Sequence, residues 1–129
     1  MFIDQFQRLY MKNLCCLLLI LFVSTGIYAQ KPKNGTYTYT IAFAEHQGKS
    51  LGATCTVIIK GDSIKVIHNG NPNLSGEKGE IIDEGIIIKH KSGKWIIGQS
   101  PEDKNAEEIG GCSDGPRVID FKNKRLWTC

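Results

Sequence analysis

No apolar run in this chain approaches the roughly 20 residues that a helix needs to cross a bilayer. The longest, Leu14 to Val23, spans ten. Its length argues against stable membrane insertion, and its flanks give it another meaning. Lys12 precedes it, and Ser24-Thr25-Gly26 and the small Ala29 follow. A positive start, a short apolar middle and a small residue at the cut make the order of a secretory signal. Residues 1–29 are therefore expected to be an export leader cleaved near Ala29, leaving 30–129 as one domain, secreted or periplasmic. Met11-Lys12-Asn13 makes a more natural start than the segment from Met1, which carries the acidic Asp4. Cys15 and Cys16 stand at the beginning of the apolar run rather than at its end, where a lipid-bearing cysteine belongs.

Clustered charge of one sign is missing as well. Arg8, Lys12 and Asp4 fall in the leader, so the rest of the chain keeps a net charge of only +2, with its lysines scattered. Nothing there neutralises several phosphates at once, which argues against nucleic-acid binding. Histidine is scarce, and His46, His68 and His90 have no spacing that suggests a zinc site. Asp83 and Glu84 are chain neighbours and point to opposite faces of any strand, so they do not make an acid–base pair. Asp103 to Glu108 alternates acids with an amide but lacks the sixth-position glycine of a calcium loop. Gly110-Gly111-Cys112-Ser113-Asp114-Gly115 lacks the strand-before, helix-after setting of a phosphate cradle or a nucleophile elbow. No cofactor and no metal are expected, and catalysis is the minority reading.

What the chain does have is short β-branched and aromatic runs separated by turn residues. Ile86-Ile87-Ile88 and Trp95-Ile96-Ile97 flank Ser92-Gly93 and read as a hairpin. A two-residue loop sets His90 opposite Trp95 and Ile88 opposite Ile97. A three-residue loop, Lys91 to Gly93, sets Trp95 opposite Lys89; the first register segregates polar side chains better and is the one expected. Thr36 to Phe43 alternates strictly, putting Tyr37, Tyr39, Ile41 and Phe43 on one face. The Gly61-Asp62 turn joins two further runs and sets Ile59 against Ile64, Val57 against Val66 and Cys55 against His68. Gly85 is expected to mark a bulge, and Asn69 to Gly79, dense in Gly, Asn and Pro, a mobile loop. Ser100-Pro101-Glu102-Asp103 is a helix start, predicting a short helix from Pro101 to Ile109 before a closing hairpin, Val118–Phe121 and Arg125–Cys129.

This order predicts an all-β fold: a small antiparallel meander of about seven strands closed into a barrel, with a two-layer sandwich as the alternative. The layout is similar to small lipocalin-type and lysozyme-inhibitor-type barrels, without a motif of either that carries a site residue across. Three cysteines follow the leader, Cys55, Cys112 and Cys129. Cys112 with Cys129 is the expected disulfide, Cys55 with either of them the alternative. The third cysteine leaves open a monomer or a disulfide-linked dimer.

Function is expected to be non-catalytic binding of a small apolar ligand or an exported protein partner, through the loops and the barrel mouth. Tyr37, Tyr39 and Trp95 are the aromatic candidates, and Asn71 and Asn73 the polar ones. A secreted enzyme inhibitor is the first alternative. A thiol enzyme using Cys55 with His68 as its base is the second.

Overall fold

The computed structural model describes residues 5–13 and 30–129. The apolar run and the cut near Ala29 lie outside the described residues. Residues 5–13 form an α-helix with exposed side chains. Among the described residues no helix is long and apolar enough to cross a membrane.

Seven strands close into a barrel: β1 (Gly35–Phe43), β2 (Thr54–Lys60), β3 (Ser63–His68), β4 (Ile81–Lys89), β5 (Trp95–Gly98), β6 (Arg117–Asp120) and β7 (Arg125–Thr128). Each pairs antiparallel with the next. An odd number of strands in a meander brings the first and last together running the same way. β1 and β7 accordingly pair in parallel, Ile41 opposite Leu126. Closure leaves the sheet no free edge.

Alternation places the core. Tyr39, Ile41 and Phe43 of β1 point inward and Thr36, Thr38 and Thr40 outward. Cys55, Val57 and Ile59 meet His68, Val66 and Ile64 in the register that the Gly61-Asp62 turn dictates. With Ile87, Ile97, Ile119, Phe121 and Leu126 these side chains fill the interior. A barrel this narrow is just wide enough to be packed by its own side chains.

Three local expectations are corrected. The β4–β5 hairpin uses the three-residue loop: His90 N–H donates to the Lys94 carbonyl, Gly93 takes φ +90°, and Lys89 lies opposite Trp95. Only glycine adopts that conformation at no cost, so the shift puts Ile87, Trp95 and Ile97 inside. Gly85 sits in regular register opposite Ile64, and the bulge falls between Val66 and Ile67 instead. A side chain on Gly85 would collide with the Gly98 carbonyl, which accounts for the glycine. The helix stops at Asn105 as a five-residue 3-10 turn, Pro101–Asn105, although Asp103 caps it by accepting from the Gln99 and Ser100 N–H groups. Glu107 and Glu108 oppose the negative end that an extension to Ile109 would carry.

That turn packs on the outside of β4 and β5. It covers Ile96, which is fully buried. The Lys91 N–H donates to the Lys104 carbonyl, and His90 Nε2 contacts the Ala106 carbonyl at 2.7 Å. The segment Asn69 to Gly79 is also fastened. Leu74 is buried, and the Gly79 N–H donates to the His68 carbonyl.

Candidate functional site

At the end of the barrel where β1 begins, four aromatic rings form a chain. Tyr37 stands edge-on to Tyr39 at 6.4 Å, Tyr39 to Phe121 at 6.5 Å, and Phe121 meets Trp95 at 5.8 Å. Each such pair contributes about 0.5–1.5 kcal/mol beyond simple burial. Tyr39 and Phe121 are buried, whereas Tyr37 and Trp95 are half-buried. The Tyr37 hydroxyl donates to the Lys33 carbonyl at 2.5 Å. Lys31 bonds to Asp62 and to the Gly61 carbonyl, so the lead-in before β1 is tied to the β2–β3 turn.

From Trp95 and Phe121 an open groove of about 540 Å³ continues round the ends of β5 and β6 to Val118, Ile109 and Trp127. Trp127 lies opposite Ala42 in the sheet and points outward, its ring resting on Gly48, where a Cβ would sit 2.8 Å from the indole. The floor is thus aromatic and aliphatic. The rim is basic: Lys89, Lys94 and Lys122 line it. Lys89 Nζ stands 5.6 Å from the Trp95 ring centre, within cation–π range. Lys94 and Lys122 take part in no ion pair among the described residues. The carboxylate at the rim, Asp120, is committed to its own turn, accepting from both Asn123 nitrogens. Three lysines and one aspartate thus line the groove.

Of the residues singled out from sequence, Tyr37, Tyr39 and Trp95 therefore come together, with Phe121 as the link between them. Asn71 and Asn73 do not join them. They lie past the end of β3, at the opposite end of the barrel, where Asn71 Oδ1 accepts from the Asn73 N–H and Asn73 Nδ2 donates to the Leu51 carbonyl. Those bonds lace two loops to each other. Cys112 and Cys129 stand at disulfide distance at that same far end, Cα–Cα 4.9 Å.

Cys55 and His68 are cross-strand partners, yet they do not make a nucleophile and its base. His68 Nδ1 accepts from the Gly70 N–H at 2.7 Å, which places the ring proton on Nε2, 3.1 Å from the Leu74 carbonyl. Both ring nitrogens are engaged with backbone. Cys55 is fully buried, and that burial pushes its thiol up to about 12, the opposite of what an activated thiolate requires. The same burial keeps Cys55 from bridging to a second molecule. Neither His46 nor His90 approaches this pair; His90 holds the β4–β5 loop through Ser92 and Ala106. Ser113 Oγ donates to the Gly110 carbonyl and serves the turn it sits in.

Phe121 and the three lysines escaped sequence reasoning as site residues. The visible signal was an aromatic beside a lysine at one end of each of two predicted strands, Lys94-Trp95 at the start of one and Phe121-Lys122 at the end of the other. No protein-family model, no curated protein and no solved structure matches this chain.

Proposed function

We propose that this protein is an exported, non-catalytic binding domain whose ligand is a small amphiphile, apolar in body and anionic at one end, held in the groove beside Trp95. The observation that carries the reading is the combination of a half-exposed aromatic floor with Lys94 and Lys122 at its rim, neither of them in an ion pair among the described residues. A volume of about 540 Å³ lies within the range of small-molecule sites. The packed interior argues for the groove rather than the barrel's inside as the seat of the ligand. The committed ring nitrogens of His68 and the buried thiol of Cys55 speak against the thiol-enzyme alternative.

Laurate, followed by its displacement of a fluorescent anilinonaphthalene sulfonate, tests this. Trp95→Ala is expected to weaken laurate binding about tenfold, equivalent to about 1.4 kcal/mol. The double variant Lys94→Gln, Lys122→Gln keeps the exposed fold intact and is expected to bind laurate more weakly while leaving dodecanol unaffected. Unchanged laurate affinity in both variants would refute the assignment.

A protein partner is the second reading, and it belongs to the opposite end. There Leu51 is 46% exposed at φ +49°, a conformation a leucine rarely holds, and Ile81 is 50% exposed. An ordered pair of loops presenting apolar side chains suits docking into another protein's cleft.

A further inference from the structure

Glu45 is exposed just past the end of β1. It belongs to the 3-10 turn Ala44–His46, which follows β1, and its carboxylate Oε2 stands 3.8 Å from the Cys112 sulfur. In the disulfide that sulfur carries no proton, so the approach is not a hydrogen bond. The two cysteine sulfurs and a Glu45 oxygen all lie within 4.8 Å of one another, and all three residues are exposed. They come from three separate stretches: the end of β1, the Gly110–Pro116 loop and the end of β7. His46 is next along, its Nε2 4.0 Å from Glu45 Oε1 and its ring standing edge-on to Phe43 at 6.2 Å.

We propose that reduction of the Cys112–Cys129 disulfide converts this cluster into a zinc site, with Cys112, Cys129 and Glu45 as ligands and a water in the fourth position. Two thiolates, a carboxylate and a water are a tetrahedral set for a borderline-soft divalent ion. Bond lengths of about 2.0–2.3 Å to zinc set tetrahedral ligand atoms about 3.3–3.8 Å apart. Opening the S–S bond lets the two sulfurs separate to that distance, and the Glu45 oxygen already lies within 4.8 Å of both. Cys112 follows Gly110 and Gly111, both at positive φ, and is exposed.

The chemistry balances with a dithiol as reductant. Its two electrons and two protons open the S–S bond to two thiols while the dithiol closes to its own disulfide. Zinc then displaces the two thiol protons to solvent. A covalent clip between the loop and β7 is exchanged for a metal clip at the same place.

Cobalt(II) is the probe, added anaerobically to the protein after reduction with a phosphine and removal of the reductant. The reduced protein is expected to bind one cobalt with a thiolate-to-metal charge-transfer band and tetrahedral d–d bands, both erased by zinc. The oxidised protein is expected to show neither. Glu45→Gln keeps both cysteines and is expected to weaken cobalt binding by at least the roughly tenfold that loss of even an outer-shell partner costs. Absence of the charge-transfer band in the reduced protein would overturn the proposal. So would equal affinity in Glu45→Gln, or a band that survives in Cys112→Ser, Cys129→Ser made as residues 30–129, where Cys55 is the remaining cysteine.

Discussion

Cys55 and Tyr39 are the two titrating side chains that the fold perturbs most in the same direction. Burial pushes both up to about 12, from ordinary values of 9.0 and 10.0, with nearby Tyr37 adding to the effect on Tyr39. Folding therefore holds their protons more tightly than the unfolded chain does. Their contribution is complete below about pH 9, where the unfolded cysteine begins to ionise, and is lost as pH rises toward 12. The denaturation midpoint should accordingly fall steadily across that window, and Cys55→Ala, lacking one of the two groups, should show a shallower fall. Iodoacetamide at pH 8 should leave Cys55 unmodified in the folded, non-reduced protein, as read by intact mass. Stoichiometric alkylation under those conditions would show the thiol to be accessible. The pairing of Cys55 with His68 was legible in sequence because a two-residue turn fixes every register beyond it. That His68 has no nitrogen to spare was not legible, since its partners Gly70 and Leu74 depend on the path of a loop without regular structure.

At the scale of elements, strands rich in Ile and Val were readable from alternation, and their turns largely were. The β4–β5 hairpin shows where such reading stops. Both candidate registers bury a set of isoleucines, and polar segregation favours the one the fold does not use. The left-handed backbone of Gly93 decides between them. Gly85 was misread for a related reason: a glycine in a strand signals either a bulge or close backbone approach, and only the fold shows the Gly98 carbonyl against it. Gly85→Ala should therefore destabilise by about 1–3 kcal/mol through overpacking, visible as an earlier midpoint in urea. Gly93→Ala, which meets no atom nearby, should cost about 1 kcal/mol from its backbone alone. A neutral Gly85→Ala would mean that the strands do not approach so closely.

Across the whole molecule, closure creates what no local pattern contains. Arg117 of β6 reaches Asp83 of β4 at 3.1 Å and the Ile82 carbonyl at 3.4 Å, across the mouth opposite the aromatic end. Those residues are 34 apart in sequence, and neither has a pattern that announces the other. Phe121 links Tyr39 to Trp95 in the same way. Aromatic content flagged Tyr37, Tyr39 and Trp95, but only the closed sheet sets them at one end and leaves Asn71 and Asn73 at the other. The two ends thus divide the two binding readings, the groove for an amphiphile and the far loops for a protein. Titrating laurate into the ¹⁵N-labelled protein tests that division most directly. The account predicts saturable amide and indole shifts confined to Lys89–Trp95, Ile109–Gly111, Val118–Asn123 and Trp127. Shifts gathered instead on Leu51 and Asn69 to Ile81, or no saturable shift at all, would contradict it.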